Sequence, residues 1–126
     1  QLNQAIKDGY AVLTEGITDA LHIRSLGFSN IFANCGTRRG NINFLRLNRL
    51  KYGLIRIPDR DIAGDKTKRT WITDKYITLV TPPQYKDSDE VLKDERYIEV
   101  FKAYLNEAIR IMREEQFIGD LEINFI

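Results

Sequence analysis

Residues 10–19, near the beginning of the chain, indicate the fold class and read Tyr10-Ala11-Val12-Leu13-Thr14-Glu15-Gly16-Ile17-Thr18-Asp19. Residues 10–14 form a short apolar run, which predicts a buried strand. The Glu15-Gly16 pair ends this run, and residues 18–26 then show helical spacing of apolar side chains until Gly27. A strand followed at once by a helix is the unit from which parallel α/β sheets are built.

The alternation of strands and helices continues along the chain. Further strands are predicted over residues 31–33, 54–57 and 76–80, and further helices over residues 41–50, 65–72 and 97–114. Alternating units of this length predict a parallel sheet of about four strands with helices on both faces. We expect one α/β domain over residues 1–116. Residues 117–126 alternate apolar and polar side chains, which predicts either an extra strand or a linker to a missing domain.

The composition excludes several classes of protein. A chain of 126 residues is long enough for one domain with a core. No apolar run approaches the roughly 20 residues that span a bilayer, and residues 1–10 do not resemble a signal peptide. We therefore expect no membrane partner and a cytoplasmic location. One cysteine and one histidine cannot build a usual structural zinc site, so any metal must be held mainly by oxygen.

Charge is distributed unevenly along the chain, although the net charge is only +1. Residues 38–69 contain ten Lys or Arg against three Asp, a net of +7. Residues 87–122 contain eleven Asp or Glu against five Lys or Arg, a net of −6. The pattern has two interpretations, which are two differently charged solvated faces or a basic surface that binds a phosphate backbone.

Acidic residues follow three of the predicted strands. They are Glu15 and Asp19, then Asp59 and Asp61, then Asp87, Asp89 and Glu90. Because ligands of parallel sheets bind outside the carboxyl ends of the strands, we expect these side chains to form one site. Each acidic residue taken alone is better explained as a turn or helix-cap residue. Together they would repel one another, and a divalent cation such as Mg²⁺ removes that repulsion.

Four motifs resemble those of Toprim domains. Residues 11–19 resemble the first Toprim motif, and Asp59-Arg60-Asp61-Ile62-Ala63-Gly64 resembles the Asp-x-Asp motif. Gly36-Thr37 is similar to the Gly-Thr that primase members carry after the second strand. Lys86-Asp87-Ser88-Asp89-Glu90 is similar to a segment of bacterial primases and phage primase-helicases. This last motif favours the primase branch over topoisomerases and Toprim nucleases.

The resemblance implies a three-layer Toprim (Rossmann-like) fold and the nucleotidyl transfer of a DNA primase. The catalytic residues that it implies are Glu15, Asp59 and Asp61. Two or more Mg²⁺ or Mn²⁺ ions would be held by six acidic residues, which are Glu15, Asp19, Asp59, Asp61, Asp87 and Asp89. We assign nucleotide and nucleic-acid binding to Gly36, Thr37, Arg38, Arg39, Arg60, Lys66 and Lys86. The basic residues Arg38, Arg39 and Lys66 are explained equally well as solvated charges.

The implied partners are single-stranded DNA and nucleoside triphosphates, with a replicative helicase or missing primase subdomains, in a nucleoid or phage replication complex. Primases usually carry a zinc-binding module and a polymerase subdomain, and this length leaves room for neither. Two alternatives stay open. One is a Toprim nuclease with water as nucleophile, and the other is a non-catalytic module that binds nucleic acid or a replication partner.

His22 is expected to be structural, because it lies inside the first predicted helix, away from the motif ends.

Overall fold

The fold is built on a parallel sheet of five strands, seen in a computed structural model that describes residues 2–33, 50–59, 75–114 and 119–124. Within the described ranges, helices and strands alternate over residues 2–33, and helices again separate the last two strands. In chain order the elements are α1 (Leu2–Asp8), β1 (Tyr10–Thr14), α2 (Ile17–Ser25), β2 (Ile31–Ala33), β3 (Gly53–Ile57), β4 (Lys75–Val80), α3 (Ser88–Leu92), α4 (Glu95–Glu114) and β5 (Gly119–Asn124).

The strand order is β2-β1-β3-β4-β5, and every neighbouring pair is parallel. The chain moves from β1 to one side of the sheet for β2 and to the other side for β3. In doubly wound sheets, ligands bind at the carboxyl ends of the strands where the order reverses in this way. Here that point lies after Thr14 and Ile57, which pair across β1 and β3. Glu15 follows Thr14 directly and Asp59 follows Ile57 after one residue, so the fold places two acidic residues at the expected ligand site.

Helices cover both faces of the sheet, which confirms the α/β layered architecture. One face packs against α2, α3 and α4 in a cluster that includes Ile23, Val91 and Phe101. The opposite face packs against α1, where Ala5 is buried with Leu13. Strands covered on both faces read as continuous apolar runs, and every residue of β1 and β3 is buried. Among the helices of the described ranges, none has the length and apolar character needed to cross a bilayer.

Among the described helices, the long helix α4 contributes the most buried apolar side chains to the core. Its buried side chains are Phe101, Leu105, Ala108 and Met112, which recur at the spacing of one helix face. The helix approaches the sheet closely at Gly53, whose φ is 130°. A β-carbon on Gly53 would lie 2.6 Å from the Lys75 carbonyl oxygen and 2.9 Å from Met112 Sδ. Only glycine fits this start of β3 without displacing the backbone or the helix.

The four predicted strands are confirmed to within one residue, since β3 and β4 each begin one residue earlier than expected. The expected number of about four strands is corrected to five, because β5 pairs in parallel with β4 over six residues. The extra-strand interpretation of the tail is thus correct for residues 119–124. The short helices α1 and α3 were not predicted, and the helices predicted over 41–50 and 65–72 fall outside the described residues except for Leu50.

Candidate metal-binding cleft

An open cleft of about 600 Å³ lies at the carboxyl ends of the strands. The described residues that line it belong to three segments: the turn from β1 into α2, the residue pair after β3, and the segment from the end of the β4 loop to the residue after α3. These lining residues are Glu15, Gly16, Thr18, Asp19, Asp59, Lys86, Asp87, Asp89 and Lys93.

Three carboxylates converge in this cleft. Asp19, Asp59 and Asp87 each offer an oxygen, and these three atoms lie within 4.8 Å of one another. Each comes from a different segment, so the fold rather than the local sequence brings them together. All three donors are carboxylate oxygens, which suit hard divalent cations such as Mg²⁺ and Mn²⁺. The group could therefore hold a metal ion.

Asp19 is the most deeply placed of the three, with 6% of its surface exposed. Its Oδ1 accepts hydrogen bonds from the Ser88 hydroxyl at 3.1 Å and from the Asp89 backbone N–H at 2.7 Å. A β-carbon on Gly16 would lie 2.9 Å from Asp19 Oδ2. Gly16 thus leaves room for the carboxylate in the first turn of α2, and the two hydrogen bonds tie α2 to α3.

The surroundings of Asp19 disfavour its ionised form. Burial raises its pKa above the ordinary value, and the charges of Asp87 and Asp89 raise it further. Hydrogen bonds from the Asp89 backbone and the Ser88 hydroxyl offset only part of this rise. A cation bound between the carboxylates would favour the ionised form of Asp19 and would therefore lower its pKa.

Asp87 caps α3 and also supplies one of the three converging carboxylates. It is the N-cap of α3, where its Oδ1 accepts a hydrogen bond of 2.9 Å from the Glu90 backbone N–H. Glu90 in turn accepts a hydrogen bond of 2.8 Å from the Lys86 backbone N–H, in an arrangement that resembles a capping box. The helix-cap interpretation of Asp87 is therefore correct, and the same cap fixes its carboxylate beside Asp19 and Asp59.

Asp89 is engaged by two neighbouring side chains. Its Oδ1 lies 3.0 Å from His22 Nδ1, and its Oδ2 lies 3.1 Å from Lys93 Nζ. Burial would raise the pKa of Asp89, but the hydrogen bonds from His22 and Lys93 outweigh burial and lower it. Asp89 lines the cleft without joining the three converging carboxylates, and its role as a metal ligand stays a prediction.

The segment that carries Lys86, Asp87 and Asp89 is anchored at both ends. The Tyr85 hydroxyl donates a hydrogen bond to Asp94, and the Tyr85 ring meets the Tyr97 ring edge-on at 5.4 Å between centroids. The guanidinium of Arg96 and then the Tyr85 hydroxyl hold the pKa of Asp94 well below its usual range. These contacts connect the two ends of the segment and fix its path along the cleft.

Of the predicted site residues, Glu15, Asp19, Asp59, Lys86, Asp87 and Asp89 line the cleft together. The other predicted site residues, Asp61, Gly36, Thr37, Arg38, Arg39, Arg60 and Lys66, lie outside the described residues. Their roles stay predictions. The fold thus brings together members of all three predicted acidic groups.

Sequence reasoning missed two side chains that contact Asp89, one of the residues lining the cleft. His22 was expected away from the motif ends, and the structure instead places it against Asp89. No local signal indicates this contact, because 67 residues separate the two. Lys93 was missed as well, although its spacing of four residues from Asp89 is typical of a helical ion pair.

The raised pKa of Asp19 predicts how stability depends on pH. Its folded pKa lies above the ordinary value of 3.8, so ionised Asp19 costs stability, and this cost is absent below 3.8 and complete above the raised pKa. In metal-free buffer, Asp19→Asn should therefore melt at a higher temperature than wild type at pH 7. This difference should shrink as the pH falls towards 3.8. A difference that grows on acidification, measured by thermal denaturation at several pH values, would contradict this sign.

Comparison with known proteins gives no further assignment. The chain matches no protein-family model, no curated protein and no solved structure. The four sequence motifs and the geometry of the cleft are therefore the features that indicate its function.

Proposed function

We propose that the cleft serves metal-dependent nucleotidyl transfer, and that the chain is the catalytic Toprim domain of a DNA primase that makes primers on single-stranded DNA. The observation that carries this proposal is the convergence of Asp19, Asp59 and Asp87 within 4.8 Å. Its position supports the proposal, because the cleft lies where a doubly wound sheet binds ligands. The order of the four motifs along the sequence supports the primase branch.

The three converging carboxylates, Asp19, Asp59 and Asp87, would hold Mg²⁺ or Mn²⁺. When bound, two such ions can activate an attacking oxygen and stabilise a leaving one. The carboxylates supply only part of the usual ligand set of Mg²⁺, and phosphate oxygens of the substrate would complete it. Metal affinity in the absence of substrate should therefore be weak.

The remaining residues of the cleft provide proton transfer and phosphate binding. Glu15 follows β1 directly and lines the same cleft as the three aspartates, so it would accept the proton of a primer 3′-hydroxyl. Lys86 lies at the cleft as an exposed cation and would bind a phosphate of the incoming nucleoside triphosphate. Contacts to template and nucleotide from Gly36, Thr37, Arg38, Arg39, Arg60 and Lys66 belong to the proposal on sequence grounds alone.

The proposal is tested by fusing the chain to the polymerase subdomain of a bacterial primase in place of that enzyme's own Toprim domain. With Mg²⁺ or Mn²⁺, nucleoside triphosphates and a single-stranded template, the fusion should make short primers. Glu15→Gln should reduce the rate by roughly 100-fold or more, the usual effect of losing a general base. Glu99→Gln removes the same charge from α4, outside the cleft lining, and should leave the rate unchanged.

A second arm incubates the 126-residue chain alone with the same metals and with single-stranded DNA, duplex DNA and RNA. No cleavage is expected. Metal-dependent cleavage that disappears in Glu15→Gln would overturn the primase assignment and establish a nuclease instead. A fusion that binds template and metal but makes no primers would also contradict the proposal.

A further inference from the structure

Lys93 is a cation of the cleft that the four motifs do not contain. It follows α3, and its Nζ lies 3.1 Å from Asp89 Oδ2. The other oxygen of that carboxylate, Oδ1, lies 3.0 Å from His22 Nδ1 on α2. Asp89 therefore has one partner on each oxygen, and the loss of one partner leaves the other in place.

The two contacts of Asp89 differ in solvent exposure. The side chain of Lys93 is 69% exposed, whereas those of His22 and Asp89 are 29% and 13% exposed. An ion pair with one strongly exposed partner contributes about 0–1 kcal/mol. A lysine ammonium is also a compact charge on a flexible stem, which can turn to a new partner. Lys93 can therefore leave Asp89 at small cost while His22 continues to hold the carboxylate.

The charge of the cleft determines which ligand would recruit Lys93. Among the described residues, five carboxyl groups and two lysines line it, and with all of them ionised these residues carry a net charge of −3. A free anion would be repelled by such a surface. Divalent cations bound together with a phosphate ligand would neutralise the carboxylates of the cleft. The ligand would then face two exposed lysines, one on each side of α3.

We propose that Lys93 binds a phosphate group of a metal-bound polyphosphate, exchanging Asp89 for a phosphate oxygen. This inference rests on the proposed function and assigns the polyphosphate end of the substrate to the side of the cleft formed by α3. Lys86 and Lys93 precede and follow this short helix, so a ligand with several negative charges close together can contact both. Pyrophosphate and the tail of a nucleoside triphosphate carry such charges.

The test uses isothermal titration calorimetry of the full chain, with Mn²⁺ titrated first and pyrophosphate then titrated at saturating Mn²⁺. Lys93→Gln keeps the length of the side chain and removes its charge. It should weaken pyrophosphate binding by about tenfold, the scale of one charge-assisted hydrogen bond. Its affinity for Mn²⁺ alone should be unchanged or tighter, because the cleft becomes more negative. Lys93→Arg should retain most of the pyrophosphate affinity.

The matched control is Lys102→Gln. Lys102 also pairs with a carboxylate of its own helix, at 3.6 Å from Glu99, but does not line the cleft. This variant should bind pyrophosphate like wild type. Equal loss in both lysine variants would overturn the inference, because it would indicate a general effect of net charge.

Two further outcomes separate the inference from the function on which it rests. One outcome is that wild type binds both Mn²⁺ and pyrophosphate while Lys93→Gln binds each with the same affinity as wild type. In that case the inference fails and the proposed function stands. If Lys93→Gln instead weakens binding of a DNA oligonucleotide without terminal phosphates and leaves pyrophosphate binding intact, Lys93 contacts a nucleic-acid backbone and the inference is wrong. Failure of wild type to bind Mn²⁺ would contradict both proposals.

Discussion

Replacing Asp59 by Asn should lower the affinity of the cleft for Mn²⁺ by roughly 100-fold or more, since even residues that only support metal ligands commonly account for 10–100-fold. Asn has nearly the same size and removes one of three anionic donors that lie within 4.8 Å. Titration calorimetry measures the loss directly. Thermal denaturation gives a second measurement, because Mn²⁺ at 100 times its dissociation constant should stabilise wild type by about 2.7 kcal/mol and the variant far less.

The control for this prediction is Glu99→Gln, which removes the same charge from a side chain that is 84% exposed on α4. It should bind Mn²⁺ like wild type. In metal-free buffer, Asp59→Asn should be as stable as wild type or slightly more stable, because repulsion between carboxylates is relieved. An unfolded Asp59→Asn variant would mean that Asp59 is structural, and equal loss of metal affinity in both variants would mean that the cleft acts only through net charge.

Replacing Phe101 by Ala should lower the free energy of unfolding by about 3–5 kcal/mol. Phe101 is fully buried in the cluster that joins α4 to the sheet, and truncation would leave a cavity there. Because small domains unfold with only about 5–15 kcal/mol in total, this one change should remove a large share of the stability. Urea denaturation at equilibrium measures the difference.

The neighbouring residue provides the matched control for Phe101. Val100 lies on the same helix and is 37% exposed, so Val100→Ala should lower the stability far less. A loss below about 1 kcal/mol in Phe101→Ala would contradict the packing described here, since that is less than the ordinary cost of a buried aromatic truncation.

Strands β1 to β4 could be predicted from sequence because they are short, mainly apolar runs followed within three residues by glycine, proline or an acidic residue. β1 and β2 were predicted with their observed bounds. The end of the chain was ambiguous because alternation in residues 117–126 fits both an edge strand and a linker. The pairing of β5 with β4 shows that residues 119–124 form an edge strand. The two strands lie far apart in the sequence, so no local pattern indicates that they pair. The helix α3 is only five residues long, too short for a helical period to be recognised.

The candidate site was predictable to the extent that it depends on topology. Carboxyl ends of parallel strands share one edge, so the acidic groups at Glu15, Asp59 and Asp87 were expected to meet. The partners of each carboxylate were not predictable. The contacts of Asp19 with Ser88 and of His22 with Asp89 join segments more than 60 residues apart, and they depend on how α2 packs against α3.

X-ray diffraction from crystals soaked in Mn²⁺ tests the claim that Asp19, Asp59 and Asp87 together hold a divalent metal ion. Data collected at the Mn absorption edge locate the ion by its anomalous scattering, independently of any assumed site. We predict an anomalous peak between the three carboxylates, with each contributing an oxygen, and no such peak in crystals of Asp59→Asn. Crystals saturated with Mn²⁺ that show no anomalous peak in the cleft, or show their peaks only elsewhere, would contradict the claim.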